Sequence, residues 1–166
     1  KGRVPILHFF AGFRTSHVIQ AIVCLDYADL EKMVDYKALA EFRKRSLNPE
    51  RPVQRTTVQN PDIFFQMRES CNRFYEALPA IVEDYMAQIN ALTGRDYHLF
   101  NYYGAPDAER VIVAMGSVSG VAREVVEYLC AQGQKVGYLQ VHLFRPFSVE
   151  HLLGQMPQTV KKISVL

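Results

Sequence analysis

No two cysteines in this chain are spaced as a metal clip. There are three, Cys24, Cys71 and Cys130. No CxxC occurs, so spacing supports neither an iron–sulfur cluster nor a zinc site. Cys71 and Cys130 lie in apolar helical patterns and Cys24 in a strand-like one. All three are expected as buried, reduced thiols, which fits a cytoplasmic protein. The five histidines, His8, His17, His98, His142 and His151, show no HxxxH spacing. Charge of one sign is also scarce. The 19 basic residues exceed the 17 acidic ones by 2. Such a balance gives no field for nucleic acid or a membrane surface. No apolar run approaches the length of a membrane span. The first residues lack a signal-peptide layout. Internal repeats and low-complexity segments are absent. So are a Walker A motif and a GxGxxG turn.

What is present is an ordinary globular balance, 49% hydrophobic and 22% charged over 166 residues. That is enough for one good core, or one small domain plus part of another. The chain does not begin with Met, and residues 161–166 read as a strand cut at its end. The expectation is a piece excised from a longer protein.

Residues 4–10 form a compact apolar run, expected as a buried strand starting near Pro5. Residues 11–16 read as a polar, glycine-containing loop, and 18–25 as either strand or helix. One or two short helices are expected over 26–47, with Asp26 and Asp35 as candidate N-caps. Asn48-Pro49-Glu50-Arg51-Pro52 stops the helix. Asn60 and Pro61 suit the N-cap and first position of the longest helix, which runs to about Leu92 with a kink, or two helices meeting, at Pro79. Gly94 closes it. Beyond, strands and helices alternate: strand 111–115, helix 118–132 ended by Gly133, strand 135–144, a short helix from Ser148, strand 161–166. This alternation predicts a parallel sheet with right-handed crossovers. The expected fold class is α/β. A three-layer parallel sheet domain over 96–166 would follow a mainly helical connecting segment over 1–95.

Four words of the sequence occur together in one family. They are Tyr102-Tyr103-Gly104-Ala105-Pro106-Asp107-Ala108-Glu109-Arg110 with the strand and Gly116-Ser117 after it; His8-Phe9-Phe10-Ala11-Gly12-Phe13-Arg14-Thr15-Ser16-His17; Gln59-Asn60-Pro61-Asp62-Ile63-Phe64-Phe65-Gln66; and Leu143-Phe144-Arg145-Pro146-Phe147. In this order they resemble the pyruvate:ferredoxin (flavodoxin) oxidoreductases. Ala11 stands where the family usually has Asp, Val18 where it usually has Glu, and Arg55-Thr56 where it tends to have a Gly. The resemblance implies that residues 1–95 end the domain holding the pyrimidine end of thiamine diphosphate. It implies that 96–166 resemble the C-terminal domain of transketolase. It implies a parent that oxidatively decarboxylates pyruvate on thiamine diphosphate with magnesium. Electrons would pass through iron–sulfur clusters to ferredoxin or flavodoxin, and the acetyl group to coenzyme A. The cofactor site, the catalytic glutamate and the cluster cysteines would lie elsewhere in the parent. This stretch would hold no catalytic residue and no cofactor of its own. Its partners would be the remaining domains of the same polypeptide, in a homo-oligomer.

Two groups of residues remain as candidate anion contacts. Arg14, Thr15, Ser16 and His17 combine a fork-shaped cation, hydroxyls and an imidazole; the same groups would also lock a loop against a neighbouring domain. Gly116 and Ser117 open a strand-to-helix turn whose N–H groups could cradle a phosphate. A capped helix start explains the same residues, with Ser117 as cap. Asp107 and Glu109 are expected to pair with Arg110 rather than do acid–base work, and Tyr102-Tyr103 to pack in a core or interface. Three alternatives stand beside the pyruvate reading: a sister enzyme for another 2-oxoacid, a free-standing α/β module for a nucleotide or anion, and a pure interaction scaffold.

Overall fold

The computed structural model describes residues 1–19, 21–52 and 58–166. Arg55 and Thr56 lie outside them, as does Gln20 in the 18–25 run. The sheet follows from two constraints of chain length. Strand β1 (Phe100–Gly104) reaches strand β2 (Arg110–Ala114) through residues 105–109 only. A crossover helix needs a dozen residues or more, so β1 and β2 run in opposite directions. Helix α6 (Val118–Ala131) supplies the crossover from β2 to β3 (Val136–Val141), and helix α7 (Val149–Gln155) that from β3 to β4 (Lys162–Val165). Strand β3 inserts between β1 and β2, giving the order β1-β3-β2-β4. It is parallel to β2 and antiparallel to β1, while β4 is parallel to β2 on the other side. The sheet is therefore mixed, not parallel throughout as the alternation suggested. The added strand, β1, was read from the sequence as part of a turn.

Side chains alternate across the sheet and build a core on each face. On one face Leu99, Phe100, Val111, Val113, Leu139 and Val141 are buried. Val82 and Met86 of the long helix α5 (Asn72–Thr93) and Leu152 of α7 cover them. On the other, Ala114 and Tyr138 pack against Val126, Ala122 and Cys130 of α6. The protein is a mixed α/β structure with helices on both faces of a four-stranded sheet.

The preceding residues differ from expectation in several places. Residues 4–10 form no strand; Ile6, Leu7, Phe9 and Phe10 are exposed. An apolar run becomes a strand only against a partner ladder, and the described residues supply none there. Described residues of 18–25 are likewise irregular, which leaves Cys24 exposed; Cys71 and Cys130 are only part-buried. Residues expected as a loop form helix α1 (Gly12–His17). Helices α2 (Tyr27–Glu31) and α3 (Tyr36–Lys44) match the sequence reading. Asp35 caps α3, accepting from Ala38 N–H at 2.9 Å, whereas Asp26 makes no side-chain cap. The long helix divides at Ser70–Cys71, not at Pro79: α4 (Pro61–Glu69) ends there and α5 runs unbroken through Pro79. Ser70 Oγ (2.7 Å) and Cys71 Sγ (3.5 Å) both turn back onto the Met67 carbonyl, competing with the helix ladder. Gly94 closes α5 in the left-handed conformation, φ +68°.

Candidate functional site

The carboxyl end of β2 is the natural place to look for a site. Its connection passes over one face through α6, and that of its neighbour β3 over the other through α7. Such a divergence opens a crevice at the strand ends. Gly116 turns there with φ +78°. A Cβ placed on it would meet the Ala11 side chain at 4.0 Å, so the residue before α1 abuts the β2–α6 turn. The fold thus sets the residue preceding α1 beside the Gly116 turn; among the described residues no hydrogen bond or ion pair joins Arg14, Thr15, Ser16 or His17 to that turn. Within α1, Ser16 Oγ (3.1 Å) and His17 Nδ1 (2.6 Å) fold back onto the Phe13 carbonyl, while Arg14 and Thr15 are exposed. At the head of α6, Ser117 makes no side-chain cap. The hydroxyl that acts there belongs to Ser119, which donates to the Gly116 carbonyl at 2.7 Å and lies 2.8 Å from Tyr138 Oη.

Other sequence candidates lie elsewhere. Asp107 and Glu109 stand at the opposite end of β2. They pair with Lys135 (2.7 Å) and Lys161 (3.0 Å) rather than with Arg110. Those lysines hold both carboxyls below their ordinary range. Tyr102 donates to the Ala105 carbonyl at 2.6 Å, and burial pushes its hydroxyl up to about 12. Tyr103 stacks on Tyr138 with the Arg123 guanidinium 4.5 Å from its ring centre. Both tyrosines pack, part-buried, against the two core clusters.

A further polar cluster has no counterpart in the sequence reading. His98 stands between two carboxylates: Nδ1 is hydrogen-bonded to Glu83 of α5, and Nε2 lies 3.0 Å from Asp96. The second Glu83 oxygen accepts from Leu99 N–H at 3.1 Å. Asn101 is buried and ties the loop, accepting from His98 N–H and donating to the Asp96 carbonyl. Asn90 of α5 does the same for Tyr97, accepting from its N–H and donating to its carbonyl. The hydrogen bond to Glu83 raises the His98 pKa above its ordinary value, against a smaller opposing effect of burial. Burial, and then the nearby His98, lowers that of His142, whose Nε2 is buried without a hydrogen-bond partner. A cavity of about 310 Å³ beside the cluster is lined by Glu83, His98, Phe100, Glu150, His151 and Gln155. The weak signal in the sequence was Glu83, a carboxylate adjacent to the sheet-facing Val82.

Among the described residues no group of three or more His, Cys, Asp or Glu is placed to hold a metal ion. No described helix is long and apolar enough to cross a membrane.

Two family models match the chain. One is described as "Pyruvate flavodoxin/ferredoxin oxidoreductase, thiamine diP-bdg" and matches residues 1–87. The other is "Pyruvate:ferredoxin oxidoreductase core domain II" and matches residues 108–166. Over all 166 residues the chain is 61% identical to the pyruvate-flavodoxin oxidoreductase of Klebsiella pneumoniae and 60% to that of Enterobacter agglomerans. It is 58% identical to the pyruvate:ferredoxin oxidoreductase of Moorella thermoacetica. It spans 14% of the length of each. A solved 2-oxoglutarate:ferredoxin oxidoreductase from Magnetococcus marinus is 22% identical. The alignment covers 66% of this chain and 17% of that one, with a TM-score of 0.44, a likeness too slight to bear on function.

Proposed function

This chain belongs to the pyruvate flavodoxin/ferredoxin oxidoreductase family, and we propose that it is an architectural part of an enzyme that oxidatively decarboxylates pyruvate. Electrons would pass to ferredoxin or flavodoxin and the acetyl group to coenzyme A. The observation that carries this reading is the pair of family models, matched in order over residues 1–87 and 108–166. Residues 1–95 are the end of the thiamine-pyrimidine domain with its helical connection. Residues 96–166 are a domain like the C-terminal domain of transketolase. Thiamine diphosphate supplies the carbanion-stabilising chemistry of such decarboxylations. The side chains here do not fit its magnesium or an iron–sulfur cluster: the three cysteines are scattered, and among the described residues no group of three or more His, Cys, Asp or Glu is placed to hold a metal ion. This chain's own work is then to hold walls and to meet the remaining domains of the same polypeptide, within a cytoplasmic homo-oligomer. Free thiols at Cys24, Cys71 and Cys130 accord with a reducing compartment.

The test compares two samples. The full-length protein, supplied with pyruvate, coenzyme A and a flavodoxin or ferredoxin, should reduce the acceptor. Residues 1–166 alone should release no carbon dioxide from pyruvate. Release by the isolated chain would overturn the division of roles. Faster turnover of another 2-oxoacid by the full-length protein would move the assignment to a sister enzyme.

The nearness of Ala11, just before α1, to the Gly116 turn supports a second reading of the same chain, as an anion or nucleotide contact made by Arg14, Thr15, His17, Gly116 and Ser117. Calorimetric titration with coenzyme A and with nucleotides should then give saturable heat that the Arg14→Ala substitution reduces. Flat traces would remove it.

A further inference from the structure

We propose that Glu83, His98 and Asp96 form a proton-operated latch tying helix α5 to the head of β1, closed while the imidazole carries both protons. The argument is one of valence. Each ring nitrogen of His98 faces a carboxylate, Nδ1 that of Glu83 and Nε2 that of Asp96 at 3.0 Å. Ionised carboxylates only accept hydrogen bonds, and a neutral imidazole has one N–H to give. Only the doubly protonated ring satisfies both neighbours. Once the Nε2 proton leaves, the exposed carboxylate of Asp96 faces a lone pair and turns to water, while the remaining Nδ1–H keeps Glu83.

The position of the cluster makes this matter. Glu83 bonds the backbone entering β1 through Leu99 N–H at 3.1 Å, two residues beyond the Tyr97 that Asn90 of α5 holds. Leu99 and Phe100, next in the chain, are fully buried in the core that α5 covers. Losing the Asp96 tie frees the loop that presents His98 to Glu83, and with it the entry to the seam between helix and sheet. Glu83 faces the ring from α5 and Asp96 from the connecting loop. His142 approaches from the end of β3 and would oppose a positive ring. Glu150 and His151 of α7 share the cavity, with His151 Nδ1 occupied by Ser148 Oγ at 2.6 Å. Arg95 on the loop is held on Tyr97 Oη at 2.6 Å. The nearest anions, Glu83 and Asp96, favour the protonated ring. Because the folded pKa is raised, the contribution is complete below about 6.5, the free imidazole value. It is lost as pH rises through the folded value.

Hydrogen exchange read by mass spectrometry on the full-length protein tests this. Peptides covering residues 96–104 would be followed from pH 6 to pH 9, corrected for the intrinsic pH dependence of exchange. Protection of this segment should fall about 3–10-fold over that range, the span of one hydrogen bond lost. His98→Gln should show a flat profile at the alkaline wild-type level. Asp96→Asn keeps the Glu83 contact and should move the midpoint to lower pH. Identical profiles in wild type and His98→Gln, or an unmoved midpoint in Asp96→Asn, would overturn the latch. If His98→Gln does not fold, the Asp96→Asn midpoint decides alone.

Discussion

Truncating Tyr138 to alanine should lower the free energy of unfolding by about 3–5 kcal/mol, the range for losing a large aromatic from a core. The residue is 0% exposed and sits on the central face of β3. It fills the space between Ala114 of β2 and Val126 of α6. Its ring also stacks on Tyr103 at 6.2 Å between centres. The hydroxyl contributes separately. It lies 2.8 Å from Ser119 Oγ and donates more weakly to the Ala114 carbonyl at 3.4 Å. Tyr138→Phe keeps the packing and removes those bonds, so it should cost only about 1 kcal/mol. Ser119 retains the Gly116 carbonyl as acceptor, which limits the loss. Urea unfolding of the two variants separates packing from hydrogen bonding. A loss for Tyr138→Ala no larger than that for Tyr138→Phe would mean this face of the sheet is not packed as described.

The same face shows why one part of the chain could be read in advance. Between residues 110 and 166 each element carries its own signals. The β-branched run 111–113, Gly133 after α6 and Ser148 before α7 all mark local structure, and the elements formed within a few residues of the expected bounds. Strand β1 was missed because Tyr102 and Tyr103 were grouped with the Gly104–Pro106 turn, and its pairing with β3, from Phe100↔Val141 to Gly104↔Gly137, joins residues distant in sequence. Residues 4–10 failed for the opposite reason. Their composition suits a buried strand, but composition cannot supply a partner, and the run lies exposed. The site divides in the same way. The Gly116 turn is written locally. The clamp on His98 exists only because α5 docks on the sheet and carries Glu83 across, which no spacing rule records. Cys24 was expected inside because strand-like apolar context usually is; without the strand it is exposed.

Adding one methyl group at Gly104 should be as damaging as removing a ring from the core. Gly104 ends β1 with φ +129°, a conformation an L side chain rarely adopts. A Cβ there would lie 2.6 Å from the Val136 carbonyl oxygen and 2.7 Å from Gly137 Cα. Both are backbone atoms of the neighbouring strand, so no rotamer change relieves them. The side chain of Val126 closes the remaining direction at 2.9 Å. Backbone strain of about 1–3 kcal/mol and overpacking of about 1–3 kcal/mol together put Gly104→Ala at about 2–6 kcal/mol. The cross-strand partner of Gly104 is Gly137, and a Cβ on Gly137 would meet the Tyr102 ring at 2.6 Å. The two glycines thus let β1 and β3 close over Tyr102, whose hydroxyl is fastened to the Ala105 carbonyl. Relief would require β1 to peel from β3 and carry the Leu99–Phe100 end of the core with it. Gly120, inside α6, is the control. Nothing lies within 4 Å of a Cβ placed there, so Gly120→Ala should be neutral or stabilising by up to about 1 kcal/mol. Thermal unfolding of the pair decides. Equal midpoints would show that the β1–β3 approach is looser than the glycine pair implies.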